Sequence, residues 1–194
     1  MYLFFDVSAN GKPKSWKAPA SDAFNWPRMV HLSWLMYNEQ RELIDSKNDY
    51  IKPQGFEISV ETETKHKIDP VKIHEEGRDM KEALLDFKAV VDKAEYIIAY
   101  NMNFNANVVG AEFYRKSIDH RLFSSERYCL MQEATWFCRI PGPGGRMKWP
   151  SLTQIHQKLY DGKLYANAGD AFADVATTSL TFFNLLDLKA IELF

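Results

Sequence analysis

The chain has 194 residues, with 24 Lys and Arg against 26 Asp and Glu, a formal net charge of −2. That length fits one compact domain, residues 1–194, and the near-neutral balance excludes a polyanion binder that works by bulk attraction, so any nucleic-acid contact must use a local patch. Hydrophobic residues make up 46% and aromatics 14%, enough for a core and too much for intrinsic disorder. No apolar run approaches the roughly 20 residues of a membrane helix, and the opening MYLFFDVSANGKP reaches an aspartate too early for a signal peptide; a cytoplasmic location is expected. Cys129 and Cys138 sit in no CxxC or zinc-ligand spacing and are expected to be reduced, buried thiols.

In chain order, Tyr-Leu-Phe-Phe-Asp at 2–6 is an apolar run ending on an acid, the pattern of a buried strand that delivers a carboxylate to a sheet edge. Asn10-Gly11 breaks it, and a long loop with Pro13, Pro19 and Pro27 carries Trp16 and Trp26. Val30, Leu32, Trp34 and Met36 then alternate with His31, Ser33 and Tyr37 in a strand whose antiparallel partner is 42–51, across a turn at 38–41. Asp79 with Glu82 marks a capped helix start, and Met80, Leu84, Phe87 and Val91 repeat at helical spacing. Residues 95–99 read as a second buried strand, followed by a helix opened by Asn103 or Asn105 and carrying Val108, Val109 and Phe113 on its apolar side. Pro141 to Gly145 reads as a flexible connection; it lacks a Lys-Ser/Thr ending and a preceding strand, so it is no phosphate loop. Ser151 with Gln154 caps a short helix, and the last helix runs from about Asp170 to Leu188. The order β-β-β-α-β-α-α-α, with a meander first, favours an α/β domain around one mixed sheet.

Ligands of α/β sheets collect at the carboxyl ends of the strands, where this order would bring Asp6, the 101–105 segment and Asp170/Asp174. Each also has a purely local reading: Asp6 as a turn residue, Asn105 and Asp170 as helix caps.

Six spans resemble, in order, segments of the DEDDh-type 3′–5′ exonucleases, the group that includes the proofreading subunit of bacterial DNA polymerase III: 3–11, 26–37, 51–68, 99–112, 148–152 and 168–177. The resemblance implies a ribonuclease-H-like mixed β-sheet flanked by helices, a Mg²⁺ or Mn²⁺ cofactor and the 3′ end of single-stranded nucleic acid as partner. Four carboxylates in this family hold two divalent metals, and a histidine takes the proton of the attacking water. The first motif is normally Asp-x-Glu and here reads Asp6-Val7-Ser8; the second normally places an aspartate after its phenylalanine and here reads Tyr100-Asn101-Met102-Asn103-Phe104-Asn105. The third normally has a histidine five residues before its aspartate, and here pairs Gly169 with Asp174. The resemblance thus keeps Asp6 and Asp174 as catalytic and metal-ligating residues and replaces the family side chains at Ser8, Asn105 and Gly169.

A hydroxyl or amide oxygen brings no charge to a hard cation, so metal binding is expected to be weak or absent. Losing a general base alone costs about 10²–10⁴ in rate. The expectation is an exonuclease-like nucleic-acid-binding protein with little or no activity, a pseudoenzyme. Asp170 is either a cap or a stray carboxylate on the same helical face as Asp174. His66, where the family has His-Gly-Ile, is either a proxy base in the cleft or a surface histidine. Tyr100, Asn101, Phe104 and His66 are expected to touch substrate; Trp16, Trp26 and Trp149 to stack bases; and Lys14, Lys17, Arg28, Lys65, Lys67, Arg146 and Lys148 to meet phosphates, with packing and solvated charge as the plainer alternative for each. Two further readings remain open: an active exonuclease with one metal on Asp6, Asp174 and Asp170, and a protein-interaction module on the same fold.

Overall fold

A computed structural model of the chain describes residues 1–66 and 68–193. Its strands β1 (Tyr2–Asn10), β2 (Arg28–Tyr37), β3 (Leu43–Tyr50), β4 (Tyr96–Ala99) and β5 (Glu126–Cys129) form one sheet in the order β3-β2-β1-β4-β5. The β1–β2 and β2–β3 pairs are antiparallel, while β4 runs parallel to β1 and to β5. The mixed sheet expected from a meander followed by a β-α unit is present.

Helices cover both faces, which is why β1 is apolar on successive residues and not on alternate ones. Leu3, Phe5 and Val7 join one core with Trp34, Met36 and the helices α3 (Met80–Val91) and α4 (Met102–Arg115). Phe4 faces the other way, with Leu35 and Ile98, into a core closed by α7 (Leu152–Leu159) and α8 (Ala171–Asp187). Phe182 and Phe183 of α8 meet the Phe4 ring edge-on at 5.5 and 5.2 Å. Helix ends follow their capping chemistry: the Asp79 side chain accepts from Lys81 and Glu82 N–H, Ser151 and Gln154 form a reciprocal capping box, and Asp170 caps α8.

Four expectations change. The strand β5 was absent from the predicted order; it is short, pairs on one side only and exposes Glu126 and Arg127, so it carries no buried alternation. The short helices α1 (Val60–His66) and α2 (Pro70–Glu76) were absent too, and each buries too little for an apolar stripe to show. Neither Asn103 nor Asn105 opens α4; Asn101 does, its Oδ1 accepting the Phe104 N–H at 3.3 Å. The glycine-rich connection at 141–145 is a pinned turn, closed by Gly142 N–H to the Arg146 carbonyl and Lys148 N–H to the Ile140 carbonyl, both 2.8 Å. The thiols of Cys129 and Cys138 are buried and unbridged, as expected. Two further short helices, α5 (Leu130–Glu133) and α6 (Thr135–Cys138), follow β5 directly.

Candidate functional site

Pairing of β1 with β4 ends at Phe4 and Ile98, whereas β1 runs on to Asn10. Past that point the β4-side edge of β1 opens into a cleft, and its backbone donors need other partners. Asn105, in the first turn of α4, supplies one: its Oδ1 accepts the Val7 N–H at 3.1 Å. The same amide turns its Nδ2 to Asp6 Oδ1 at 3.0 Å. An aspartate at 105 would bring a second negative charge to this spot; the amide bridges strand and carboxylate instead.

The opposite wall is the start of α8, held over the polar half of β1 by the Phe182 contact and by Tyr37 Oη, 3.2 Å from Ser179 Oγ. Asp174 Oδ1 accepts from Tyr165 Oη at 2.8 Å and from the Gly169 N–H at 3.1 Å. Burial, then the Asp174 charge, raises the Tyr165 hydroxyl above its usual range, so it remains a donor. Burial first and Asp174 second hold the Asp6 carboxyl well above the ordinary carboxylate range, against the Asn105 hydrogen bond; Asp170 pushes the same way and Lys65 opposes it. The structure therefore brings Asp6, Asn105, Asp174 and Asp170 to one end of the sheet. Asp170 Oδ1 is engaged by the Phe172 and Ala173 N–H groups at 3.0 Å each, the helix-cap arrangement.

Gly169 has φ +93°, in the left-handed region that favours glycine, and a Cβ there would meet the Lys65 carbonyl at 3.4 Å. The segment that would carry the family's histidine has a backbone suited to glycine. His66 packs on the same residue, Nδ1 lying 3.2 Å from the Gly169 carbonyl oxygen, which places its proton on Nδ1. Burial lowers its pKa despite that bond.

Ser8 is buried and lies opposite His31 on β2, as Asp6 lies opposite Ser33. The pattern continues on β3, where Asn48 Oδ1 accepts from His31 Nε2 at 2.6 Å and from Ser33 Oγ at 2.8 Å, and Tyr50 stacks on the His31 ring at 4.2 Å. His31 Nδ1 is buried without a hydrogen-bond partner among the described residues, and burial lowers the ring's pKa. Sequence reasoning overlooked this polar ladder, although its signal was present: His31 and Ser33, two polar residues two positions apart within an apolar strand, opposite Ser8 and Asp6. It also overlooked Tyr165, which no motif marks.

Other expected contacts resolve differently. Tyr100 Oη donates to the Pro150 carbonyl at 2.7 Å, and burial pushes its pKa up to about 12. Trp26 is 2% exposed, a core residue whose Nε1 donates to the Pro19 carbonyl, so it stacks no base. Arg28 is committed to Glu112, Nε to Oε1 at 2.8 Å, and not to a phosphate. Lys67 lies outside the described residues. Phe104 sits under Trp16, ring centroids 5.9 Å apart, and Trp16 and Trp149 are 52% and 57% exposed.

The cleft does not fit a two-metal centre. Of the four carboxylates that the resemblance implies, Asp6 and Asp174 are present and take hydrogen bonds from protein donors, the nearby Asp170 caps α8, and no three His, Cys, Asp or Glu side chains among the described residues converge as metal ligands.

No family model matches the chain, and no curated protein matches it in sequence. Solved structures do match. Its fold is that of one part of exonuclease I. The E. coli exonuclease I complex with a dT13 oligonucleotide superposes with a TM-score of 0.70 at 17% identity, over 95% of this chain and 40% of that one. The zinc-bound E. coli ExoI–ssDNA complex gives 0.72 at 18%, over 97% and 40%, and a further exonuclease I structure gives 0.73 at 20%, over 96% and 40%. Identity this low establishes the fold alone, here the ribonuclease-H-like mixed sheet flanked by helices. The chain spans 40% of the length of these exonuclease I chains. Among the described residues no helix is long and apolar enough to cross a membrane.

Proposed function

We propose that residues 1–194 are one exonuclease-like domain that binds single-stranded nucleic acid and whose hydrolytic centre is strongly impaired. The reading rests on one observation: Asp6 and Asp174, the retained acids, are hydrogen-bonded to Asn105, Tyr165 and the Gly169 N–H. Internal donors take up carboxylate lone pairs that a divalent cation would need, and neutral side chains at Ser8 and Asn105 leave its charge uncompensated. Oligonucleotides bound to the exonuclease I neighbours support the nucleic-acid half of the reading. A one-metal site on Asp6, Asp174 and Asp170 is less well supported, because Asp170 spends an oxygen on the cap of α8. Buried, unbridged cysteines fit a cytoplasmic location, which belongs to the same proposal.

Calorimetric titration with Mn²⁺ tests the metal half. The natural chain is expected to take up no Mn²⁺ at millimolar concentration, and the Ser8→Glu/Asn105→Asp variant to bind it. Uptake by the natural chain, abolished by Asp6→Asn, would refute the impairment.

A further inference from the structure

The two most exposed positions of interest, Trp16 and Trp149, share a surface at the carboxyl ends of β4 and β5. One hollow there, of about 660 Å³, is bordered by Trp16, Trp149, Asn101 and Gln132, and a second of about 660 Å³ continues from it past Trp16 toward Tyr114. Trp16, Asn103 and Arg127 border both, so the hollows form one groove with Trp16 at its centre.

Trp16 and Trp149 are each about half exposed, and the backbone beside each is hydrogen-bonded in place. The backbone of Ser15, beside Trp16, is clamped by Asn25: Oδ1 accepts the Ser15 N–H at 2.7 Å and Nδ2 donates to the Ser15 carbonyl at 2.9 Å. Beneath the Trp16 ring lie Phe104 at 5.9 Å and Trp26, edge-on, at 6.5 Å. Trp149 is flanked by two pinned residues, with Lys148 N–H on the Ile140 carbonyl and the Pro150 carbonyl on Tyr100 Oη. Rings fixed in advance lose little freedom when a flat ligand stacks on them. Between them Asn101 and Asn103, whose Oδ1 atoms already accept from the Phe104 N–H and from Asn107 Nδ2, present their Nδ2 donors to a base edge, and the Gln132 amide adds a donor and an acceptor. Arg127 packs its guanidinium over the Phe123 ring at 5.1 Å and forms no ion pair among the described residues, leaving its charge for a phosphate. Glu133 borders the groove as well, with its carboxyl raised by burial, and is the acid that a phosphate backbone would have to pass.

We infer that this groove, built on Trp16, Trp149 and Arg127, is a metal-independent site that stacks successive bases of a single strand. This deepens the proposed function and rests on it. The groove uses neither Asp6 nor Asp174, so strand binding survives the changes at Ser8, Asn105 and Gly169.

Anisotropy of a labelled oligothymidylate, titrated with the full chain in chelator, tests it. Binding is expected, weakened about tenfold or more by Trp16→Ala and by Trp149→Ala, and largely kept by Trp16→Phe. Trp136→Ala serves as the control: that indole is 72% exposed and lies outside the groove, so Kd should not change. Natural binding with Kd unaltered by Trp16→Ala and Trp149→Ala would overturn the groove and leave strand binding standing. If the natural chain fails to bind the oligonucleotide, strand binding is refuted. That outcome overturns the groove as a strand-stacking site together with the proposed function, whereas unaltered Kd in the two tryptophan variants overturns the groove alone.

Discussion

Asp6 and His31, on neighbouring strands, carry opposite electrostatic strains, and each has its own pH signature. Because the folded Asp6 holds its proton more tightly than an unfolded aspartate, its contribution to stability is greatest at low pH and falls as pH rises from about 3.9 through the raised value. Asp6→Asn is expected to flatten that fall and raise the melting temperature at neutral pH; an unchanged slope in melts across a pH series would contradict the assignment. Burial depresses His31, so its contribution is complete above the unfolded value near about 6.5 and is lost as pH falls below it. His66 and His120 shift the same way, so His31→Gln should remove only part of the acid limb in the same melts. Asn105→Ala leaves the Val7 N–H without its acceptor and should cost about 1–3 kcal/mol, read by chemical denaturation. None of this was legible from residue types. Motif spacing located Asp6 and Asn105, yet that the amide bridges them, or that Tyr165 reaches Asp174, depends on where the strands diverge and how α8 is set down.

At the scale of elements, α4 joins the cleft to the groove. Glu112 of α4 is fully buried and accepts from Arg28 Nε at 2.8 Å and the Met29 N–H at 3.1 Å, with Arg115 Nη1 also at 2.8 Å. Arg115 in turn holds the carbonyls of Ala23 and Trp26, and so fastens the loop that presents Trp16. Glu112→Ala strands two guanidinium groups and is expected to cost about 3–5 kcal/mol by chemical denaturation, with weaker oligonucleotide binding as the Trp16 loop loosens. A loss under 1 kcal/mol would mean that solvent compensates the network. The cap of α8 is a smaller lever: Asp170→Ala should cost about 1 kcal/mol in the same measurement. Here the sequence was more informative. Caps at Asp79, Ser151 and Asp170 were legible because they are local chemistry, whereas β5 was not, since a four-residue edge strand with two charges has no pattern of its own.

For the whole molecule, the fold was legible because two independent signals agreed: a meander followed by a β-α unit, and motif-like segments in the right order. The near-neutral total charge fits the proposed binding through a confined groove better than binding over a broad basic surface. Oligonucleotide binding should therefore weaken with salt only shallowly, as few phosphates are neutralised, and a steep salt dependence would point to a broader basic surface. The proposed impairment is tested most directly by incubating the chain with a 5′-labelled single-stranded oligonucleotide in Mg²⁺ and in Mn²⁺, beside the Ser8→Glu/Asn105→Asp variant. The natural chain is expected to leave the strand intact and the variant to shorten it from the 3′ end; shortening by the natural chain that Asp6→Ala abolishes would contradict the impairment.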